Sequence, residues 1–221
     1  MRRIALIMYT LSNGDFPSWT LFMQIMPFAI IGVVTWLSTR QAIMVSLVQG
    51  GPLISQMDFP QIRAAHIQLA RALRPLAIYL FVGICVVAVA FELDRSPFPD
   101  DPLQLLVAIC CAWLIGLGVG SILGSIALRW TSLRRLVGPI MRVTGLTSGL
   151  FFLPEQLPPN VAEVLLWNPL MHAILIGRSA FFVQYDSPDA DWTYLIVWLF
   201  GTLFIGLVCF MNDERKRSRL R

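Results

Sequence analysis

The sequence has few charged residues and few of the side chains that catalysis requires. Asp, Glu, Lys and Arg make up only 14% of the 221 residues, whereas a soluble domain carries about 25%. The chain holds two histidines and contains no HExxH, GxxxxGK[ST] or GxSxG motif. We therefore predict a protein that is not an enzyme and that has no catalytic, cofactor-binding or metal site.

Cysteine is also scarce, and its positions exclude two further classes of protein. The four cysteines, Cys85, Cys110, Cys111 and Cys209, lie in apolar stretches and form no CxxC pair. We interpret them as small buried apolar side chains. Neither a disulfide framework nor a metal site is indicated.

Long apolar runs are abundant, since 57% of the residues are hydrophobic. A spanning helix needs about 20 such residues. Four runs of that length occupy 19–38, 72–93, 103–128 and 192–211, and a shorter fifth run, 137–153, contains Arg142. These runs predict an all-α, polytopic membrane helical bundle with five full transmembrane helices.

Arginine placement predicts how the bundle is oriented. Segments 39–74 and 129–142 and the C-terminal tail are rich in arginine, whereas loops 92–102 and 183–191 are net acidic. Because basic loops stay in the cytoplasm, we expect a cytoplasmic C-terminus. This placement favours a topology signal over a nucleic-acid site, so no nucleic-acid partner is expected.

The same charge pattern predicts the path of 154–182. A full crossing there would place both internal arginine-rich segments outside the cell. We therefore expect a re-entrant external pair of helices, with its break at Asn168-Pro169, because proline disfavours helical geometry in the preceding residue. We expect Asn168 to cap the helix that follows, and Arg178 to face water or the membrane interface.

The N-terminal residues MRRIALIMYT read as the outer end of a first helix that is mostly missing. We divide the chain into a transmembrane domain, truncated at its N-terminus, over 1–212 and a basic cytoplasmic tail over 213–221.

Within the third run, LIGLGVGSILGS forms a small-residue face that includes Gly116, Gly118 and Gly120. Such a face serves helix packing or lines a translocation path.

One stretch, PEQLPPNVAEVLLWNPLMHAILIGRSAFF, resembles the hallmark of ABC-2-type permeases that export capsular polysaccharide or O-antigen. That family has a proline-rich turn, a WNPL element, a His and an Arg, which match here Pro154 and Pro158, Trp167–Leu170, His172 and Arg178. The segments DFPSWTLFMQIMPFAII, VQGGPLISQMDFPQIRAAHIQLARA and GLGVGSILGSIALRWTSLRRLVGPIMR match in order, so the resemblance covers roughly residues 10–215. Family members also carry an interfacial helix and a full first span, and we expect neither in this chain.

The resemblance implies a permease subunit of an ABC transporter in the bacterial inner membrane. It implies export of a lipid-linked polysaccharide, pairing with a second copy of the chain, contact with membrane lipid and ATP hydrolysis in a separate ATP-binding cassette subunit. The alternatives are an ABC-2 permease for a drug or lipid, and a truncated remnant that transports nothing.

The resemblance also implies two groups of functional residues. Phe59, Pro60, Ile62 and Arg63 would couple the permease to its ATPase, although the segment also fits a plain interfacial connector. The second group would line the substrate path at an external gate, where aromatic rings stack on sugars; its members are Trp167, Asn168, Pro169, His172 and Arg178. For Trp167 and His172, anchoring at the membrane interface is the alternative.

Overall fold

The computed structural model describes residues 18–47, 64–94, 99–150, 152–182, 185 and 187–218. These residues form α-helices and one 3-10 turn, with no β-strand among them, which confirms the predicted all-α membrane bundle. The helices are α1 (Ser18–Leu47), α2 (Ala64–Asp94), α3 (Pro102–Arg129), α4 (Leu133–Thr147), α5 (Pro159–Leu165), α6 (Pro169–Phe181) and α7 (Trp192–Ser218), and the 3-10 turn is Pro154–Gln156.

Four helices are long and apolar enough to cross a membrane, namely α1, α2, α3 and α7. The broken pair α5–α6 is long and apolar enough to count as a span only if its two helices are taken together. The predicted fifth span, 137–153, corresponds to α4, which has 15 residues and ends where the chain turns through Gly149 at φ 72°. Together with that turn, α4 leads from Arg134 at one end of the bundle to Glu155 at the other. The apolar run at 19–38 also continues as helix to Leu47, so Arg40 lies inside α1 and not in a loop.

Helix α3 lies at the centre, packed against α1, α6 and α7, while α2 packs on α1. A Cβ on Gly120 would lie 2.7 Å from the Ile43 Cα in α1, and a Cβ on Gly118 would lie 2.6 Å from the Thr202 carbonyl carbon in α7. The glycines therefore serve helix packing on two opposite sides of α3, and not on the single face that we predicted.

Side-chain hydrogen bonds connect α2 to α1 and to α3. The Gln68 amide of α2 donates to the Ser46 hydroxyl of α1 and to the Ser121 hydroxyl of α3, both at 3.1 Å. The Trp113 indole of α3 donates to the Ala72 carbonyl of α2 at 3.1 Å. These bonds hold α2 in place, although most of its surface is exposed.

The two ends of the bundle differ in charge. The acidic end, where α3 and α7 begin, carries Asp100, Asp101, Glu155, Glu163, Asp189 and Asp191. The basic end, where α3 and α7 finish, carries Arg71, Arg129, Arg134, Arg135, Arg215 and Lys216. This segregation fits the orientation predicted from the loops, which stays a prediction.

Some predictions fall outside the described residues. These are the truncated first helix within 1–17 and the four coupling residues Phe59, Pro60, Ile62 and Arg63. The proposed boundary between 212 and 213 lies inside α7, which continues as helix to Ser218.

Candidate functional site at the broken helix pair

The break between α5 and α6 bends the chain by 100°. Asn168 has extended backbone at φ −82° and ψ 113°, and its side-chain oxygen accepts a hydrogen bond from Leu170 N at 3.1 Å. Pro169 is the first residue of α6, where its missing N–H costs no helical bond. Both the predicted break and the predicted cap are confirmed.

The pair begins and ends at the acidic end. Glu155, which precedes it, accepts hydrogen bonds from the Tyr185 hydroxyl at 3.2 Å and the Ser187 hydroxyl at 3.0 Å, and both donors follow α6. Burial raises the pKa of the Tyr185 phenol, so the hydroxyl keeps its proton and acts as donor. The geometry is that of a re-entrant element whose two ends are fastened together.

The two arms of the pair have opposite surroundings. Ten of the 13 residues of α6 are buried, packed by α1, α3 and α7. None of the residues of α5 is buried. A broken backbone inside a membrane must be covered by protein or water, and α6 meets that condition by lying within the bundle.

Arg178 lies at 0% exposure within α6. Its guanidinium donates to the carbonyls of Leu150 at 2.9 Å and Phe152 at 3.3 Å, and its Cζ lies 3.5 Å from the centroid of the Phe28 ring. Those carbonyls follow the end of α4, where helical partners are missing. Gly32 in α1 leaves room, because a Cβ there would lie 3.3 Å from Arg178 Nη2. We predicted that Arg178 faces water or the membrane interface; instead its side chain is buried in protein and fastens α6 to α1 and to the end of α4.

His172 is buried at 6% exposure and bonds to backbone through both ring nitrogens. Nδ1 accepts from the Asp191 N–H at 3.2 Å, so the ring proton belongs on Nε2, which donates to the Leu166 carbonyl at 2.8 Å. The ring also lies 4.6 Å from that of Tyr194. His172 thus links the break to the start of α7.

Trp167 is the predicted site residue that points away from the protein, with 76% of its side chain exposed. Its carbonyl accepts the Tyr194 hydroxyl at 2.7 Å. The ring continues an exposed apolar edge of α5 that includes Val161 and Val164. The backbone is therefore fixed while the indole stays free for a ligand or for lipid.

The structure brings Asn168, Pro169 and His172 together at the break, leaves Trp167 at its rim and places Arg178 deeper, beside α1 and α4. Sequence reasoning missed Glu155 and Tyr194. Glu155 joins the start of the pair to the residues that follow α6, and Tyr194 joins the break to α7. Glu155 carried a signal, because it and Glu163 are the two acids in the largely apolar stretch 151–182. Among the described residues, no three His, Cys, Asp or Glu side chains are grouped so that they could hold a metal ion.

No protein-family model matches the chain. Curated relatives do match it. The chain is 26% identical over 146 residues to the polysialic acid transport protein KpsM of Escherichia coli, which covers 66% of this chain and 57% of KpsM. It is 25% identical over 192 residues to the capsule polysaccharide export inner-membrane protein CtrC of Neisseria meningitidis serogroup B, covering 84% of this chain and 70% of CtrC. It is also 25% identical over 166 residues to the capsule polysaccharide export inner-membrane protein BexB of Haemophilus influenzae, covering 73% and 61%.

These similarities confirm the resemblance to permeases of capsular polysaccharide export. The aligned part of the chain spans less than two thirds of KpsM, at 57% of its length.

Proposed function

We propose that the chain is the membrane-spanning permease subunit of a system that exports a lipid-linked polysaccharide, such as capsule or O-antigen, across the bacterial inner membrane. The observation that carries the proposal is the broken pair α5–α6, which is fastened at both ends and has an exposed tryptophan at its rim. The names of the three relatives support the class of substrate.

The chemistry of the rim suits a carbohydrate. Sugar rings present C–H faces that pack on aromatic rings, and Trp167 offers an indole whose backbone is already fixed by Tyr194. Because this backbone is already ordered, it loses little further conformational entropy when the indole binds. His172 and Arg178 are positioning residues in this proposal, since their polar atoms bond to backbone carbonyls and an N–H.

Transport against a gradient needs energy, and the sequence contains no phosphate-binding P-loop. We infer that a separate ATP-binding cassette subunit supplies it, that the permease works as a homodimer and that the basic end faces the cytoplasm. The segment with Phe59, Pro60, Ile62 and Arg63 would receive the ATPase there. The basic end, with its exposed Arg129 and Arg135, would also meet anionic lipid headgroups.

Deletion of the gene from its host tests the proposal, with surface polysaccharide measured by lectin or antibody binding and glycan retained in the cell measured after lysis. We expect surface glycan to fall and intracellular glycan to rise, with both restored by the gene supplied in trans. Unchanged surface glycan would contradict the proposal. A change confined to drug tolerance or lipid export would favour a permease for a small substrate.

The rim is tested in the same strain by comparing Trp167→Ala with Val164→Ala. Both side chains are exposed on the same edge, at 76% and 70%, so the two changes remove similar amounts of packing. We expect Trp167→Ala to reduce export several-fold and Val164→Ala to leave it unchanged. Equal export by the two variants would make Trp167 a plain interfacial anchor.

The coupling segment is tested by a Phe59→Ala, Arg63→Ala double variant against Gln61→Ala as control. We expect the double variant to lower transport-stimulated ATP hydrolysis while membrane insertion stays normal. Unchanged hydrolysis in the double variant would reduce the segment to a connector.

A further inference from the structure

Arg40 carries its charge into the membrane-spanning part of α1. The apolar span of this helix runs over Pro27–Leu47, and Arg40 lies about two turns before its end. The side chain is partly buried. An arginine at this depth is costly, and such residues usually mark a pathway or a bound partner.

The direction of the Arg40 side chain makes its position unusual. Its Cζ lies 5.6 Å from the centroid of the Trp36 ring, one helical turn nearer to the middle of the span. An arginine near a helix end normally extends toward the closer membrane surface. Here the guanidinium extends the other way, toward Trp36 and the interior of α1.

Two N–H donors in this pair lack acceptors. Arg40 Nε and Trp36 Nε1 are both buried, and neither has a hydrogen-bond partner among the described residues. Arg178 differs from Arg40, because two of its nitrogens donate to carbonyls and only its Nε lacks a partner. Buried donors are rarely left unpaired, and two of them on adjacent side chains favour a group that binds there.

The helix opposite carries glycine where α1 packs on it. The Trp36 ring lies directly on Gly145 of α4, where a Cβ would approach the ring to 2.6 Å. One heptad earlier, Gly138 faces Met44, and a Cβ there would lie 3.7 Å from the methionine methyl group. The α1–α4 seam therefore has glycine on the α4 side and the Trp36 indole on the α1 side, with the Arg40 guanidinium next to the indole.

We propose that the α1–α4 seam holds an oxyanion, either a carboxylate of the exported glycan or the phosphate of a lipid, which accepts hydrogen bonds from Arg40 and Trp36. The proposal deepens the function proposed above and rests on it for the identity of the ligand. A guanidinium with an unpaired Nε–H beside an indole N–H favours an anionic acceptor with at least two oxygens. Beside an apolar span such an anion would arrive as part of an amphiphile or of a translocating polymer.

Binding is measured with the purified full chain in phosphatidylcholine nanodiscs, by the shift in its unfolding temperature. One arm adds phosphatidylglycerol to the nanodisc as the phosphate source, and the other adds a soluble sialic acid oligomer as the carboxylate source. We expect at least one probe to stabilise the wild-type protein, and the responding arm identifies the source.

The variants are Arg40→Gln, Arg40→Lys and Trp36→Phe, with the exposed Arg74→Gln as control. We expect Arg40→Gln to weaken binding about tenfold or more, Arg40→Lys and Trp36→Phe to weaken it less, and Arg74→Gln to bind as wild type. If Arg40→Gln fails to fold, the smaller losses of binding expected in Arg40→Lys and Trp36→Phe test the proposal instead.

The inference is overturned if neither probe stabilises the wild type, or if the Arg40 and Trp36 variants all bind normally. These outcomes are separate from the fate of the proposed function. If the gene supports polysaccharide export and neither probe stabilises the wild type, the seam is not a binding site and the function stands. If deletion leaves export intact, the proposed function fails whatever the nanodisc measurements give.

Discussion

Helices α3 and α2 are both strongly apolar spans, yet they have opposite places in the bundle. In α3, 56% of the span is buried within the protein, whereas in α2 only 11% is buried. Apolar character is what carries a helix into the membrane, and it does not distinguish the two. The comparison teaches that protein contact within the membrane is determined by something other than hydrophobicity.

The difference lies in the size of the side chains. Buried positions of α3 are largely glycine, alanine and serine, which allow the backbones of α1 and α7 to approach closely. The outward surface of α2 carries large side chains such as Phe81 at 68% exposure and Ile84 at 67%. Lipid tails solvate these as well as protein does, so nothing drives them inward.

The largest expected effect comes from filling the closest contact of α3. Gly118→Leu would place a side chain where even a Cβ lies 2.6 Å from the Thr202 carbonyl carbon. Overpacking of this kind costs about 3 kcal/mol, and we expect loss of the monodisperse protein in detergent by size-exclusion chromatography. The matched control is Gly201→Leu in α7, where a Cβ would meet nothing within 4 Å. Equal behaviour of the two variants would contradict the central place of α3.

The second effect concerns α6, which is even more buried than α3 and is held by a charged side chain. Arg178→Met removes the donors to the Leu150 and Phe152 carbonyls while keeping much of the volume. Leaving buried polar groups unpaired costs about 1–3 kcal/mol each, so we expect a clearly lower unfolding temperature than for the exposed Arg142→Met. An unchanged unfolding temperature would mean that the fastening contributes little.

A smaller effect separates two glycines of one helix. A Cβ on Gly206 would lie 2.7 Å from the Gly118 carbonyl oxygen, whereas one on Gly201 meets nothing. We expect Gly206→Ala to destabilise by about 1 kcal/mol. Gly201→Ala should be neutral or slightly stabilising, because alanine is the better helix former. Thermal unfolding of both proteins in the same detergent checks the two changes. A larger loss of stability in Gly201→Ala than in Gly206→Ala would contradict the assignment of Gly206 to the surface of α7 that contacts α3.

The smallest effect is expected on the outward surface of α2. Phe81→Leu changes an exposed side chain that stays in contact with lipid, so unfolding should shift by less than about 0.5 kcal/mol. A large loss would show that α2 is covered by protein, for example by a second copy of the chain.

The sequence predicts the break at Asn168-Pro169 well, because the proline and its capping neighbour act locally. The surroundings of Arg178 could not be predicted, because its acceptors lie in another segment and are backbone carbonyls, which any sequence supplies. The end of α4 could not be predicted from the hydrophobic pattern either, because the apolar run continues through the turn at Gly149. Arg40 was placed in a loop because charge usually ends a span, and here the helix continues past it to Leu47.

The sidedness of Gln156 and Asp189, which flank the pair α5–α6, tests most directly whether the pair is re-entrant. Single cysteines at these two positions, at Asp100 and at Ser132, in a chain whose four native cysteines are replaced, would be labelled in intact cells with a membrane-impermeant maleimide. If the pair returns to the end at which it enters, Gln156, Asp189 and Asp100 are all labelled and Ser132 is not. Labelling of only one of Gln156 and Asp189 would mean that the chain crosses the membrane between them, and would contradict the re-entrant architecture.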